Sequence, residues 1–397
     1  FWAIGLGWNL HQESFMEDLA CIDRAKLRAS VGTTGSQNFP SYLVREGYNY
    51  LRGAQYQGSI GALMSGLGNP SLQWQQTRKF NLGADIDLFN SRLSLTVNYY
   101  IERSDNLTTT ISTPPSVGFG SYHTNLGSIE NKGYEAYATV FLLKDQAKRS
   151  SWSLTASLFH NENRILHISE SLKAQNDERI EKSGELTAPV LLYQEGQPIN
   201  TIYAVSSRGI DPANGYEIFV KKEGTYTYEW NANDQVPVAV ADARIYGTFG
   251  TNWIYRGILV NALFRMNAGG YIYNQTLADR VENANLRKNV DERVLYSRWR
   301  QPGDKAAFKG TTTPEGVTRT DVTRATSRFV QKNNQVFCDA IVLGYQFPAA
   351  IINRFKMEQA QVRLTVNSPF VASSVKQERG LDYPFARTYS FTIQASF

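Results

Sequence analysis

The feature that most constrains this chain is a pair of long alternating segments joined by a tight polar connection. Apolar residues take every second position in both segments, namely Phe80, Leu82, Ala84, Ile86 and Leu88, then Leu93, Leu95, Val97, Tyr99 and Ile101. One apolar face with a period of two predicts a β-strand, and the polar connection at Asn90 and Ser91 predicts a hairpin. Each arm holds about 12 residues, against roughly 5–6 in soluble sheets. A tilted strand that crosses a bilayer needs about 9–11 residues, so the arms suit a membrane span.

Composition alone makes a soluble fold the default and leaves one membrane class open. The 397 residues are 42% hydrophobic, the mean hydropathy is −0.37, and no run approaches the roughly 18 apolar residues of a membrane helix. A transmembrane β-barrel escapes this test because only alternate residues of its strands are apolar. The net charge is +5, but Lys and Arg are scattered along the chain, which argues against nucleic-acid binding.

The two cysteines and the first residues bear on how the chain is built. Cys21 and Cys338 lie far apart and show no metal-ligand spacing, so two free thiols are expected. The opening sequence FWAIGLGWNL already has the pattern of a strand, without a targeting segment. The chain is therefore interpreted as the C-terminal piece of a longer protein.

Connection lengths favour a membrane barrel over a soluble sandwich. The pattern predicts about thirteen strands whose connections alternate strictly between short and long. The short ones fall near 89–91, 144–150, 211–215, 255–257 and 348–357. An up-and-down barrel keeps its tight turns at one rim and its long loops at the other, whereas a sandwich has no reason to do so. Among the long ones, 105–127 is broken by Pro114-Pro115 and glycines, and 268–333 contains a stretch of helical propensity, LADRVENANLRKNVDERVLYSRW.

Side-chain chemistry supports two different faces. Aromatic residues gather beside the short turns, as in an interfacial girdle: Phe89, Trp152, Trp253, Tyr255, Phe347 and Phe397. Charged residues fall on the opposite face: Asp85, Asp87, Glu135, Arg265 and Arg363. An Arg in contact with lipid at mid-membrane costs about 2–4 kcal/mol. The charged face is therefore expected to line a lumen that is wet or plugged.

No catalytic constellation is found in the sequence. The four histidines, His11, His123, His160 and His167, lack the spacing of a zinc site, and there is no nucleophile elbow or phosphate-binding loop. We expect no enzyme activity, no metal and no cofactor. Ligand contact would come from loops and upper lumen walls, with Tyr122, His123 and Asn125 in the 105–127 connection and Trp299 in the longest one as candidates. The alternative is that these side chains pack loop against loop or against a lid partner.

Several stretches together resemble one family. They are NPSLQWQQTRKFNLGADIDLFNSRLSLTVNYYIERSDNL, GSIENKGYEAYATV, IGLGWNL with KLRASVGTTGSQN, EGQPINTIYAVSSRGIDPANG, SRFVQKNN with LGYQFP, and the aromatic C-terminus. Spread over the entire chain in the family's order, they are similar to the barrel of SusC/RagA-type TonB-dependent outer-membrane transporters.

The resemblance implies an all-β fold, a transmembrane antiparallel up-and-down barrel of 22 strands. Residues 1–397 would be its C-terminal portion, and the plug, the TonB-contacting box and the N-terminal extension would precede them. It further implies TonB-energised import of glycan or peptide fragments through the cell outer membrane. The partners would be a SusD-like lipoprotein lid, TonB, an oligosaccharide or oligopeptide substrate and outer-membrane lipid, often in a dimer of transporter–lipoprotein pairs. Two alternatives stay open, a passive porin and a surface-exposed structural or adhesive β protein.

Overall fold

The computed structural model describes residues 1–37, 39–66, 68–112, 121–145, 150–285, 287–313, 315–319, 321–376 and 387–397. The strands are β1 (Trp2–Asn9), β2 (Ile22–Ser36), β3 (Gly47–Tyr56), β4 (Ser59–Gly66), β5 (Gln75–Leu88), β6 (Leu93–Ser112), β7 (Ser121–Asp145), β8 (Ser150–Ile168), β9 (Thr201–Ile210), β10 (Glu217–Val220), β11 (Tyr226–Thr227), β12 (Gln235–Val240), β13 (Ile245–Tyr255), β14 (Ile258–Tyr273), β15 (Val330–Gln346), β16 (Gln359–Asn367), β17 (Val371–Ser373) and β18 (Thr388–Ser396).

Helical segments are few and short. The α-helices are α1 (Glu170–Ser183) and α2 (Ala349–Ile352), and Leu277–Glu282 forms a π-helical turn. Single 3₁₀ turns occupy Leu10–Gln12, Ser14–Met16, Ser41–Val44, Ala232–Asp234, Glu292–Leu295, Ser327–Phe329 and Asn353–Phe355. Within the described ranges, no helix is both long and apolar enough to cross a membrane.

One large antiparallel sheet dominates the described part of the chain. Eleven of its 12 strands follow the order β1-β2-β5-β6-β7-β8-β13-β14-β15-β16-β18. The twelfth, β17, pairs with residues 335–337 of β15. Apart from β17, each strand pairs with the next strand of the sheet along the sequence, so the connectivity is up-and-down. This confirms the predicted fold class, and the 12 strands are close to the predicted thirteen.

The hairpin that anchors the sequence pattern forms as predicted. Leu88 pairs with Leu93, and the register runs without interruption to Gln76 opposite Asp105. The turn places Phe89, Asn90 and Ser91 at φ of 58°, 57° and 55°, which is a left-handed conformation that Asn tolerates well. Because the register is unbroken, the alternating apolar residues of both strands share one face.

Large side chains on that shared apolar face are exposed. Leu82 of β5 is 47% exposed, and Leu158 of β8 is 44% exposed. A soluble sandwich would cover such residues with a second sheet, but these large side chains stand free in the described structure. The apolar surface therefore suits contact with hydrocarbon.

One of the predicted short connections does not belong to the main sheet. Asp211–Gly215 does form a tight turn, since the Asp211 carboxylate accepts a hydrogen bond from the Ala213 amide at 2.8 Å. The strands that it joins, β9 and β10, belong to a separate four-stranded sheet in the order β11-β10-β9-β12. The prediction that this turn lies at the barrel rim was wrong, because turn chemistry does not reveal which sheet the flanking strands join.

Two loop predictions also need correction. In the 105–127 connection, β6 continues to Ser112 and β7 already begins at Ser121; Pro114-Pro115 lies outside the described residues. Within the 277–299 stretch of helical propensity, only Leu277–Glu282 and Glu292–Leu295 are helical among the described residues. Conversely, the stretch 170–183, for which the sequence pattern predicts no helix, forms α1, and the Ser169 side chain caps it by accepting from the Leu172 amide. Cys21 and Cys338 are free thiols, as predicted.

Candidate functional site

A hydrogen-bonded polar cluster crosses three neighbouring strands on the face opposite the exposed leucines. Arg28 of β2 forms an ion pair with Asp85 of β5, with 2.8 Å between Nε and Oδ2. Its Nη2 donates to Asp85 Oδ1 at 3.0 Å and to Asn98 Oδ1 of β6 at 3.1 Å. Thr96 Oγ1 donates to the same carboxylate at 3.1 Å. Two-point contact between guanidinium and carboxylate fixes direction as well as distance, so these side chains are held in one arrangement.

Amide and phenol groups continue this surface across β6, β7 and β8. The Tyr100 hydroxyl donates to Asn161 Oδ1 at 3.0 Å, and Asn161 Nδ2 donates to Asn131 Oδ1 at 3.4 Å. We call the whole recess the polar wall; its lining residues are Arg28, Ser30, Asn81, Asn98, Tyr100, Glu102, Asn131, Glu135, Asn161 and Tyr246. Neutral hydrogen-bonding groups outnumber charges, so the wall suits a polar solute or a protein backbone rather than a highly charged ligand.

Further along the sheet, charged residues remain on the polar face. Arg265 of β14 pairs with Asp339 of β15 at 3.0 Å, and its guanidinium stacks over the Phe337 ring at 4.9 Å. Arg363 of β16 donates to Gln361 at 3.0 Å. The predicted separation of charges from the apolar face holds at each of these positions.

Aromatic rings cluster at the turn end of the apolar face. Trp253 and Tyr255 stack with their centroids 5.9 Å apart, and Tyr345 meets Phe347 edge-on at 5.2 Å. Trp152 is 41% exposed and donates from Nε1 to Thr251 Oγ1 at 2.9 Å. Rings with one apolar body and one satisfied polar tip are the type that settles at a bilayer interface.

At the opposite rim, the connections 169–244 and 274–329 pack together; we call them the rim lobe. Arg328 joins the two connections by pairing with Glu217 at 2.8 Å and with Glu282 at 2.7 Å. The three side chains are 11%, 2% and 0% exposed, in that order. Burial by itself lowers the pKa of Arg328, but the two carboxylates outweigh it and raise that pKa above its ordinary value.

The predicted ligand contacts in β7 lie at its outer end. Asn125 is engaged with the backbone: Nδ2 donates to Gln73 O at 3.0 Å and to Asn106 O at 2.9 Å, while Oδ1 accepts from the Gln73 amide at 3.0 Å. The His123 carbonyl accepts from Asn69 Nδ2 at 2.9 Å. For Tyr122, the structure describes the backbone, paired with Ile111. These residues come together at one rim, and Asn125 ties the 69–73 segment to it.

Trp299 lies in the rim lobe, away from those three residues. Its side chain is 3% exposed, and Nε1 donates to Pro212 O at 2.9 Å. The ring packs over Gly215, so it closes the Asp211–Gly215 turn. Direct ligand contact by this ring would require the turn to move.

Sequence reasoning missed the Glu217–Arg328–Glu282 cluster. The partners are 111 and 46 residues apart, and no motif connects them. One signal was present: a carboxylate within the short apolar segment EIFV occupies a strand position that is usually buried.

Comparison with known proteins agrees with this geometry. Residues 1–165 match the family model described as TonB dependent receptor-like, beta-barrel. TonB-dependent receptor P39 of Formosa agariphila is 24% identical, with 94% of this chain and 38% of the relative aligned. TonB-dependent receptor SusC of Bacteroides thetaiotaomicron is 25% identical, with 100% and 40% aligned. The chain thus spans about two-fifths of the length of these curated relatives.

Solved structures show the same fold. The RagAB peptide transporter superimposes with a TM-score of 0.81 at 19% identity, covering 100% of this chain and 43% of that one. RagAB in its open-open state gives a TM-score of 0.78, again at 19% identity. The described sheet therefore has the fold of part of these structures.

Proposed function

The chain carries a TonB-dependent receptor β-barrel domain and is homologous to SusC, and from that premise we propose that it forms part of an active importer. Proteins of this family are β-barrels of the outer membrane, and this chain shares that location and fold. The main sheet of this chain has one apolar face and one polar face, and the difference between them bears on function.

The observation that carries the proposal is the polar wall. A single sheet holds exposed leucines on one side and an ordered array of amides, phenols and ion pairs on the other. A polar array beside hydrocarbon-facing residues is useful only if water, solute or another polar segment occupies that side. A passage for polar solutes meets this requirement directly.

The energy source, lid and cargo belong to the same proposal. We infer TonB-energised import of oligosaccharide or oligopeptide fragments beneath a SusD-like lipoprotein, in a dimer of such pairs. SusC similarity and the RagAB peptide transporter fold support this choice. The protein would act as a transporter and not as an enzyme, and no cofactor would be needed.

The edges of the sheet support a larger barrel. β1 and β18 are the two terminal strands of the sheet order, and every residue of both is exposed. Open strand edges are not tolerated in hydrocarbon, because each unpaired backbone group costs several kcal/mol. We propose that further strands pair with both edges in a 22-stranded barrel, and that a plug and a TonB-contacting segment belong to the same protein.

Uptake by cells that produce the full-length protein tests the proposal. Fluorescent oligosaccharide and oligopeptide libraries should accumulate in producing cells and not in a deletion strain, and accumulation should stop when TonB is deleted. Accumulation that persists without TonB would instead support a passive porin. Absence of uptake with stable surface display would support the adhesive alternative.

The four predicted ligand contacts are tested in the same assay. Y122A, H123A and N125A examine the outer end of β7, and W299A examines the rim lobe. A change in the concentration for half-maximal uptake, at an unchanged protein level, supports contact with cargo. Unchanged uptake in all four removes them from the ligand path.

A further inference from the structure

The rim lobe contains a cleft between its two connections, which we call the aromatic cleft. One wall carries four aromatic side chains from the 169–244 connection: Tyr216, Phe219, Tyr228 and Trp230. The other wall comes from the 274–329 connection and includes Lys309, Asp321 and Arg324. The cavity volume is about 460 Å³, within the range of about 300–1,000 Å³ that is usual for small-molecule sites.

The rings of the cleft are held in place by their polar tips. The Tyr228 hydroxyl donates to Asp211 Oδ2 at 2.6 Å and accepts from Asn214 Nδ2 at 3.2 Å. Trp230 Nε1 donates to Ala325 O at 3.0 Å. Tyr228 is nevertheless 51% exposed. A ring whose hydroxyl is hydrogen-bonded but whose face is exposed offers a flat apolar surface to a ligand. Because the side chain is already held in place, little conformational entropy is lost on binding.

A buried acceptor without a partner lines the same cleft. Glu217 is 3% exposed, and its Oε1 makes no hydrogen bond in the described part of the chain. Leaving such a group unsatisfied is unfavourable, and more so if it is charged. Its other oxygen, Oε2, accepts from Arg328 at 2.8 Å, so the carboxylate cannot turn away. A ligand O–H or N–H at this position would relieve the cost.

Charges around the cleft balance. Lys309 pairs with Asp321 at 2.5 Å, and Glu217 is held by Arg328. Arg324 lines the cleft and forms no ion pair or hydrogen bond with any described residue. The cleft therefore offers one free donor group and one free acceptor beside flat rings, without a strong net charge. A pyranose ring matches this set, because its hydroxyls both donate and accept while its C–H face is apolar.

We propose that the aromatic cleft binds one neutral sugar residue of an oligosaccharide, with hydroxyls bonded to Glu217 Oε1 and Arg324 and a ring face against Tyr228 or Trp230. This proposal narrows the cargo of the proposed import function to carbohydrate. It rests on that function only for the later transport of the bound sugar. Binding itself is a separate property of the lobe.

The test is binding by the full-length protein in detergent, followed through Trp fluorescence and saturation-transfer NMR. The probes are neutral hexasaccharides of glucose, galactose, mannose, xylose and N-acetylglucosamine, with tetragalacturonate and tetra-alanine for comparison. At least one neutral hexasaccharide should bind, and R324Q and E217Q should each weaken it more than tenfold. R280Q serves as the matched control, because Arg280 is an exposed residue of the lobe outside the cleft.

Three results would overturn the inference: no binding of any neutral probe, binding of tetragalacturonate or tetra-alanine alone, or unchanged affinity in R324Q with the wild-type fold. E217Q disturbs the buried ion pairs as well as the cleft, so R324Q is the decisive variant, since its side chain has no partner among the described residues. The uptake assay separates the two proposals. TonB-dependent uptake by a protein that binds no neutral sugar overturns the cleft and leaves import standing, and sugar binding without uptake does the reverse.

Discussion

Arg328 and Glu217 form a buried ion pair, 2.8 Å from Nη2 to Oε2, between connections that are far apart in sequence. The pair fastens the β8–β13 connection to the β14–β15 connection. Glu282, which lies in the same connection as Arg328, forms a second ion pair with that guanidinium. Two inserted segments thereby fold as one lobe at the rim that carries the long connections.

Removing the cation should loosen this lobe. R328M leaves two carboxylates buried without a counter-charge, which costs about 3–5 kcal/mol. Limited proteolysis should then cut the 169–244 and 274–329 connections much faster, while the strands of the main sheet stay protected. R280M is the control at an exposed position. Equal protection of R328M and wild type would show that the ion pairs do not hold the lobe together.

A second prediction concerns the turn under Trp299. Gly215 has φ +72°, and a Cβ added there would lie 2.5 Å from the Trp299 ring. Gly224 has φ +89° with nothing within 4 Å. G224A should cost only the backbone strain, about 1 kcal/mol, whereas G215A adds a steric clash and should destabilise the lobe clearly more. Hydrogen exchange of the 211–216 amides in G215A and of the 221–225 amides in G224A measures the two effects. Equal effects would mean that the ring is not packed against Gly215.

Acid should weaken the same turn. The Tyr228 hydroxyl and the Ala213 amide hold the pKa of Asp211 below its ordinary value of 3.8. A depressed carboxyl pKa stabilises the folded state at pH above the unfolded value, and that contribution disappears as pH falls through the folded pKa. Trp299 fluorescence should therefore change below about pH 4. The change should be smaller in D211N, which does not ionise; identical acid profiles would assign the transition to other groups.

The two faces of β5 should respond oppositely to charge. Leu82 lies on the apolar face and Asn81 on the polar wall, one residue apart. L82R should cost about 2–4 kcal/mol if the site lies at mid-membrane, and N81R much less. Urea-driven unfolding of the full-length protein in lipid vesicles gives both values. Similar costs for the two substitutions would argue against a lipid-facing Leu82.

The sequence predicted those parts of the fold that depend on local periodicity. The alternation of Leu82 with Asn81, and of Leu95 with Thr96, is a property of adjacent residues, so the β5–β6 hairpin and its faces could be derived directly. The alternation of connection lengths further predicted an up-and-down order.

What escaped prediction depends on long-range contacts. Nothing near Asp211 shows that β9 and β10 leave the main sheet for their own. α1 was missed because its stabilising pairs, Glu170 with Lys173 and Glu178 with Lys182, are ordinary for a charged loop as well. The candidate ligand contacts were placed in the loops by residue type alone, and only the structure shows that Trp299 is buried and Asn125 is engaged with backbone.

The most direct test of the account is a spin-label scan along β5 and β6 of the full-length protein in lipid vesicles, after replacing Cys21 with Ser and Cys338 with Ala. Labels at 80, 82, 84 and 86 should be accessible to oxygen, which concentrates in the bilayer, and labels at 81, 83, 85 and 87 should not. In β6 the odd positions from 93 to 101 should behave like the even positions of β5. A scan without this period of two, or with both faces accessible to a water-soluble nickel complex, would contradict the assignment of one face to lipid and the other to a polar lumen.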